Sequence, residues 1–180
     1  MVPLLMEINI GGTDLFRLRL RTAPNSRTVN LSSARPNMPC LNPFPIPDGL
    51  DPDLQQVLAL WKRLRRAEND MPFGDDLKFS DLSRLSAKPF VLSVFTSPER
   101  FRFEYLHKDL QGAAMAGRFI DEIPPESDFG YLRAQSSATL EAAEPTFLRL
   151  SEASGRSFRR LLLPMWGSGQ INTLLGAIHS

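Results

Sequence analysis

The chain has 180 residues, of which 42% are hydrophobic, and its 21 basic and 20 acidic side chains leave a formal charge of +1. This length fits one domain with an extension, the balanced charge argues against a general nucleic-acid binder, and the one cysteine excludes an intrachain disulfide. The sequence begins without the basic segment of a secretory signal and has no apolar run long enough to span a bilayer, so we expect a soluble, cytoplasmic protein without membrane contact.

Residues 1–49 are predicted to form a flexible N-terminal extension that ends in a proline-rich linker. Leucine and arginine alternate from Leu15 to Arg21, which suggests a marginal strand or hairpin with no obvious sheet to join. The five prolines between Pro36 and Pro47 exclude a helix or a central strand in the linker. Met38 leaves open a start further downstream, and the role of the extension stays open.

The folded domain is predicted to occupy residues 50–180 and to begin with a cap helix over residues 51–68. Asp51 suits the N-cap and Pro52 the first helical position. Apolar side chains then form one stripe at helical spacing: Leu54, Val57, Leu58, Trp61 and Leu64. The stripe either packs on the domain's own sheet or forms a dimer interface, and we expect it to do both. Basic residues at the helix end complement the helix dipole, with an acidic partner or nucleic acid as the minor alternative.

Strand patterns and helical patterns alternate along the rest of the domain. A short helical pattern at residues 77–85 precedes two strands that read as an antiparallel hairpin. Short helical fragments and a longer helix from about Ser127 to Ala142 come next, and three strands close the domain. The predicted strands are residues 89–95, 101–106, 146–150, 157–165 and 170–178. This order predicts an α+β domain with a five-stranded antiparallel sheet and a central helical block.

The fourth predicted strand is apolar on both of its faces. Leu161 and Leu163 point to one side, and Leu162 points to the other. A sheet with one wet face would alternate polar and apolar residues, so both faces of this sheet must be covered. The helical block can cover one face, and the cap helix or a second subunit can cover the other.

This element order resembles the PAS topology, and the sequence is similar to a group of small stand-alone bacterial PAS proteins. The resemblance runs from about Leu58 to Ala177. It is carried by LWKRLR, by KPFVLSVF followed by FRFEYL, by AGRFIDEI, and above all by RRLLLPMWGSGQINTLLGAI at residues 159–178. There the family has an arginine, three apolar residues, a proline, a glycine turn and a closing apolar strand. Glu104 departs from the family's usual arginine, and His107 and Lys108 replace its common glycine and threonine.

The resemblance implies a PAS fold that can hold a small molecule between the sheet and the helical block. A haem would need an axial histidine in or just after the long helix. Residues 127–150 contain none, so haem is not expected, although His107 stays open as an unusual ligand and His179 lies near the C-terminus. Photoactive flavin chemistry needs a cysteine beside the ring, and Cys40 lies in the linker, so that chemistry is rejected. The cofactor is otherwise unknown, and non-covalent flavin stays open.

The expected function is a PAS sensor or interaction module in bacterial signalling. It would act in trans, through a homodimer or an unknown signalling protein, with a small molecule as a further possible partner. The predicted ligand-pocket wall is aromatic and aliphatic: Phe101, Phe103, Tyr105, Phe119, Phe129, Leu161 and Leu163. An ordinary packed core explains the same residues, and the alternative function is a ligand-free dimerisation module. The sequence has no dinucleotide fingerprint, phosphate loop or nucleophile elbow, so we do not expect an enzyme.

Overall fold

The computed structural model describes residues 42–66, 68–110, 115–123, 129–151 and 157–180. All of these belong to one compact unit, Pro39–Ser180. Residues 1–41, with Cys40 and the predicted strand at residues 15–21, lie outside the described residues, so the flexible extension stays a prediction. Across the described ranges, no helix is long and apolar enough to cross a membrane.

The five predicted strands are confirmed, with short extensions at their ends, and they form a single antiparallel sheet. The strands are β1 (Lys88–Thr96), β2 (Glu99–Leu106), β3 (Thr146–Ser151), β4 (Ser157–Gly167) and β5 (Gln170–His179). The helices are α1 (Pro52–Leu64), α2 (Phe79–Leu82) and α3 (Leu132–Ala142), with single 3-10 turns at Gly74–Asp76 and Ile120–Glu122. The strand order is β2-β1-β5-β4-β3, and the helical segments inserted between β2 and β3 confirm the predicted central helical block and PAS fold.

The sheet is covered on both faces, as the apolar β4 required. On the first face, here called the α1 face, the stripe of α1 packs on inward-pointing residues of the sheet: Val91, Leu161, Leu163, Met165, Leu175 and Ala177. On the opposite face, here called the α3 face, α3 and the 3-10 turn before it pack on a second set: Phe90, Leu92, Phe101, Phe103, Phe158, Leu162, Leu174 and Ile178. The core therefore consists of two layers that share the sheet as a common wall.

The N-terminus of α1 is fixed to the sheet by charged side chains. The carbonyl oxygen of Asp51 accepts the first helical hydrogen bond, from Gln55 at 2.8 Å. The side chain of Asp51 makes no capping hydrogen bond, contrary to the prediction, because it pairs with Arg159 of β4 instead. The helix ends at Leu64, four residues earlier than predicted, since Arg65 has an extended backbone with ψ 136°.

The described end of the proline-rich segment contacts the domain. The Phe44 carbonyl accepts a hydrogen bond of 2.9 Å from the backbone N–H of Phe147, at the outer edge of β3. Ile46 packs against the α1-face core, and Leu50 is buried. Residues 42–50 therefore add to the sheet edge and the core, while the predicted domain boundary at residue 50 stays a prediction.

Candidate functional site

The structure does not bring the seven predicted pocket residues together. Three lie buried on the α3 face: Phe101, Phe103 and Phe129. Three lie on the α1 face: Tyr105, Leu161 and Leu163. The seventh, Phe119, is half-buried, with its ring 5.5 Å from the ring of Phe95 and 3.6 Å below the guanidinium of Arg100. One continuous pocket wall made of all seven residues is therefore wrong for this fold, because the sheet separates its members.

A β-bulge explains why Tyr105 lies on the opposite face from Phe103. Val91 lies opposite Tyr105, but the next β1 residue lies opposite Phe103, so Glu104 is an extra residue in β2. An inserted residue reverses the alternation of side chains beyond it. The ring of Tyr105 consequently stacks on Phe79 on the α1 face, with the ring centroids 5.2 Å apart.

Three phenylalanine rings occupy the α3 face where the sequence predicted a ligand pocket. The centroid of Phe129 lies 4.9 Å from that of Phe103 and 5.6 Å from that of Phe90, and Phe90 and Phe103 are 6.1 Å apart. Phe90 also covers the backbone of Gly176, where an added Cβ would lie 2.1 Å from the ring. Side chains thus fill this part of the face, which agrees with the packed-core interpretation.

Beside these rings lies a group of polar side chains that the sequence analysis missed. Within the described ranges, the buried polar residues all belong to it, and each is 0% exposed: Gln135, Ser136, Thr139, Thr146 and Arg160. We call this group the Arg160 cluster. Its first three members lie on α3 and the others on β3 and β4, so it is a polar contact between helix and sheet.

The guanidinium of Arg160 connects three parts of the chain. Its Nε donates to Gln135 Oε1 at 2.8 Å, and its Nη2 donates to the Gly130 carbonyl at 2.9 Å. The guanidinium carbon lies 5.5 Å from the centroid of the Phe158 ring. Burial lowers the pKa of Arg160 to about 9, because an apolar environment disfavours the charged form. The Arg160 guanidinium is thus a cation held in the interior by directed hydrogen bonds.

Hydroxyl and amide groups complete the Arg160 cluster. The Thr139 and Thr146 hydroxyls share a hydrogen bond of 2.6 Å, and Gln135 Nε2 lies 3.3 Å from the Thr146 hydroxyl. Ser136 Oγ is buried without a hydrogen-bond partner in the described part of the chain. A buried donor without a partner costs about 1–3 kcal/mol, so this hydroxyl marks a place where a polar ligand atom would add stability.

The sequence contained a signal for the Arg160 cluster. Arg160 is in phase with Phe158 and Leu162 on β4, and period-two alternation therefore places it on the same inner face. Helical spacing likewise places Gln135 and Thr139 on the side of α3 that carries Leu132. Neither signal entered the prediction, because the inner faces were defined by apolar residues alone.

A small cleft opens near the edge of the α3 face, where β2 begins. We call it the β2 cleft; its volume is about 230 Å³, and its lining includes Phe101, Ile120, Asp121 and Arg133. Arg100 also lines it, and its Nη2 donates to Asp121 Oδ2 at 2.8 Å. This contact lowers the pKa of the Asp121 carboxyl below its ordinary range. The cleft combines an apolar floor with charges at its rim, as small-molecule sites do.

A larger groove of about 950 Å³ lies at the C-terminal ends of α1 and α3. Trp61 and Trp166 form part of its lining, together with the exposed charged residues Arg65, Glu68 and Asp70. Its charged groups face solvent, and none of them contacts a buried polar group among the described residues. The Arg160 cluster and the β2 cleft are therefore the stronger candidates for a functional site.

Most of the predicted dimer stripe packs in the chain's own core. Leu54, Val57 and Trp61 are buried on the α1 face, and Trp61 Nε1 donates to the Pro164 carbonyl at 2.8 Å. Leu58 and Leu64 are half-buried. The part of the prediction in which the stripe packs on its own sheet is confirmed for the three buried residues. They are not available to a second subunit in this arrangement, whereas the half-buried leucines keep exposed surface.

The two histidines have local hydrogen-bond partners. His107 Nδ1 accepts from the backbone N–H of Asp109 at 3.3 Å, and His179 Nδ1 lies 3.0 Å from Asp53 Oδ2. The described residues hold no group of three His, Cys, Asp or Glu side chains placed to bind a metal ion. The expectations about haem and flavin remain predictions. Cys40, on which the flavin argument depends, lies outside the described ranges.

Comparison with known proteins finds resemblance among solved structures only. No protein-family model matches the sequence, and no curated protein matches it. The PAS domain of the histidine kinase ThkA is 17% identical with a TM-score of 0.40, over 52% of this chain and 99% of that one. A sensory box sensor histidine kinase from Vibrio cholerae is 14% identical with a TM-score of 0.41, over 56% of this chain and 86% of that one.

An RNA-binding Light-Oxygen-Voltage receptor is 19% identical with a TM-score of 0.38, over 65% of this chain and 36% of that one. Values this low carry no argument about function. The PAS fold is assigned from the strand order and from the position of the helical segments between β2 and β3.

Proposed function

We propose that this chain is a PAS sensor and interaction module in bacterial signalling, which responds to a small molecule on the α3 face and acts in trans on a partner protein. The observation that carries the proposal is the buried guanidinium of Arg160. Removing a cation from water costs several kcal/mol before its partners compensate. Apolar side chains would hold α3 on the sheet without that cost, so a retained cation favours a role beyond packing.

Arg160 connects the interior of the domain to an exposed side chain through the backbone that precedes α3. Its partner Gly130 immediately precedes Tyr131, which has a left-handed backbone with φ 58° and is the N-cap residue of α3. Tyr131 is 69% exposed. A ligand that changes the hydrogen bonds of Arg160 would change the backbone that holds this aromatic side chain. Such a ligand shifts the population of the two arrangements only by its differential affinity for them.

A second copy of the chain is the first partner to test. Leu58 and Leu64 are the stripe residues that keep exposed surface on α1, and they are the proposed contacts of a homodimer. The proposal gives the chain no catalytic role, a cytoplasmic location and no nucleic-acid partner. The double substitution Leu58→Glu and Leu64→Glu should lower the native mass from dimer to monomer, and a dimer that persists would remove α1 from the interface.

Native mass spectrometry tests the sensor role directly. Freshly purified wild-type protein should carry an excess mass that disappears when the same sample is denatured. Arg160→Gln should reduce the occupied fraction, whereas Arg149→Gln, at an exposed position of β3, should leave it unchanged. An excess mass that is equal in all three proteins would separate ligand binding from Arg160 and contradict the proposal. Circular dichroism spectra of the variants check that the fold is intact.

A ligand-free dimerisation module is the second candidate. The contact among the rings of Phe90, Phe103 and Phe129 favours it, because these side chains fill the face where a pocket was expected. This alternative predicts a clean protein mass at twice the chain weight, with no component lost on denaturation.

A further inference from the structure

We propose that the β2 cleft binds a small monocarboxylate with an apolar body, whose carboxylate is held by the guanidinium of Arg133. This inference rests on the proposed function, for which it names the class of ligand; the ligand would contact α3, which Arg160 holds through Gln135 and Gly130, and not Arg160 itself. It follows from the size of the cleft, from its apolar floor, and from the pairing of the charges around it.

The cleft is suited to a small molecule that touches three elements. Its volume of about 230 Å³ is below the roughly 300–1,000 Å³ of sites for drug-sized ligands. Phe101 of β2 and Ile120 of the 3-10 turn supply apolar lining, and both belong to the α3-face core. Arg133 reaches the cleft from the first turn of α3. A bound molecule would therefore connect the β1–β2 hairpin to both helical segments.

Most of the charges around the cleft already have partners. Arg100 donates to Asp121 at 2.8 Å and to Glu122 at 3.4 Å, and its guanidinium lies over an aromatic ring. Glu99 accepts a hydrogen bond of 2.6 Å from the hydroxyl of Ser137 on α3. These contacts join the walls of the cleft to one another, and they use both carboxylates that line it, Glu99 and Asp121, and one of its two guanidinium groups.

Arg133 is the cation that remains for a ligand. In the described part of the chain, its guanidinium forms no hydrogen bond and no ion pair within 4.0 Å; its charge acts on Asp121 from a distance and contributes to the lowered pKa of that carboxyl, after the larger effect of Arg100. A guanidinium binds a carboxylate through two parallel N–H···O hydrogen bonds, a geometry that an amide or an alcohol does not reproduce. A guanidinium whose N–H donors have no hydrogen-bond partner among the described residues thus selects for a carboxylate.

The acidic side chains of the rim limit the ligand to one carboxylate. Glu99 and Asp121 both line the cleft, and a second negative charge on the ligand would lie close to them. Like charges at short range repel. A monocarboxylate can direct its charge to Arg133 and its apolar end to Phe101, whereas a dicarboxylate cannot avoid the rim.

Isothermal titration calorimetry on the full chain tests the inference with defined probes. The monocarboxylates are benzoate, hexanoate and indole-3-acetate, and the comparators are benzamide and the dicarboxylate isophthalate. We expect at least one monocarboxylate to bind, and Arg133→Gln to weaken it about 10- to 100-fold, the range for a charged hydrogen-bonded contact. The matched control Arg149→Gln removes an exposed arginine at the opposite edge of the sheet and should bind like the wild type.

A second variant tests the repulsion separately from the attraction. Glu99→Gln keeps an oxygen that can accept from Ser137 but removes the negative charge. Isophthalate should then bind closer to the strength of benzoate than it does in the wild type. Failure of all three monocarboxylates to bind, or equal binding to wild type and Arg133→Gln, overturns the proposed site, as does benzamide binding as tightly as benzoate.

The outcomes also separate the cleft from the proposed function. Carboxylate binding that depends on Arg133 but leaves the oligomeric mass and the exposure of Tyr131 unchanged supports the cleft and contradicts the sensor role. A co-purifying small molecule that Arg133→Gln retains in full supports the sensor role and contradicts the cleft.

Discussion

Replacing Gly176 with alanine probes how tightly the α3 face is packed. Gly176 lies on the central strand β5, opposite Phe90 of β1 on one side and Leu162 of β4 on the other. A Cβ added there would lie 2.1 Å from Cζ and 2.4 Å from Cε2 of the Phe90 ring. Ordinary van der Waals contact begins near 3.4 Å, so the ring would have to move by roughly 1 Å or more.

The size of the effect follows from what surrounds that ring. Phe90 is 0% exposed and contacts the rings of Phe103 and Phe129, so its retreat compresses both. Overpacking of a filled core costs about 1–3 kcal/mol. Alanine is better than glycine in a strand by about 0.5–1 kcal/mol, which offsets part of the cost. We expect Gly176→Ala to lower the free energy of unfolding by about 1–1.5 kcal/mol, the middle of the range that these two terms leave.

Urea denaturation, followed by circular dichroism, measures this change. Gly49→Ala is the matched control, because its Cβ would meet no atom within 4 Å, and it should alter stability by less than about 0.5 kcal/mol. Phe90→Leu should relieve the clash, so the double variant should lose about 1 kcal/mol less than the sum of the single variants. A Gly176→Ala protein within 0.5 kcal/mol of wild type, or strictly additive substitutions, would refute the packed arrangement and reveal room for a ligand.

Three further predictions follow from individual contacts. Trp61→Phe removes the donor to the Pro164 carbonyl and should lower the free energy of unfolding by about 1–2 kcal/mol in urea titration; unchanged stability would show that this hydrogen bond contributes nothing. Carbon-13 NMR should place the pKa of Asp121 below its ordinary 3.8, because Arg100 donates to it; the pairing then stabilises the fold above that value and is lost as the pH falls through the lowered pKa. Arg100→Gln should return that pKa toward 3.8, and a pKa that stays low would contradict the pairing. Tyr131→Gly should raise the melting temperature, since glycine adopts the φ of 58° without strain; a lower melting temperature would show that contacts of the ring outweigh the strain.

The sheet could be predicted because each strand carries its own signal. The apolar run before Thr96 and the alternation in FRFEYL are local patterns, and the turns at residues 97–98 and 168–169 separate paired strands. The sequence of β4, which is apolar on both faces, further indicated that the sheet is buried on both faces. The PAS fold as a whole was implied by the resemblance, but the order of the strands within the sheet was not predicted.

The site could not be predicted to the same depth, because it depends on register and on long-range pairs. The bulge at Glu104 leaves the pattern of β2 unbroken in sequence, yet it moves Tyr105 to the other face. The contact of Arg160 with Gln135 joins residues 25 positions apart. Neither feature appears in the periodicity of a single segment. Only the direction of Arg160 could have been read from β4, through its phase with Leu162.

The central place of β5 has a consequence for how the molecule folds. Residues 88–93 of β1 pair with residues 173–178 of β5, and β4 pairs with β5 on its other side. The hairpins β1–β2 and β3–β4 therefore cannot join until the strand that comes last of the five leaves the ribosome. The long stretch of chain between β1 and β5 slows the pairing of these two strands. Strand edges that stay unpaired in the meantime promote aggregation. Refolding should accordingly be slow for a domain of this size, and nascent chains that end before β5 should depend on chaperones.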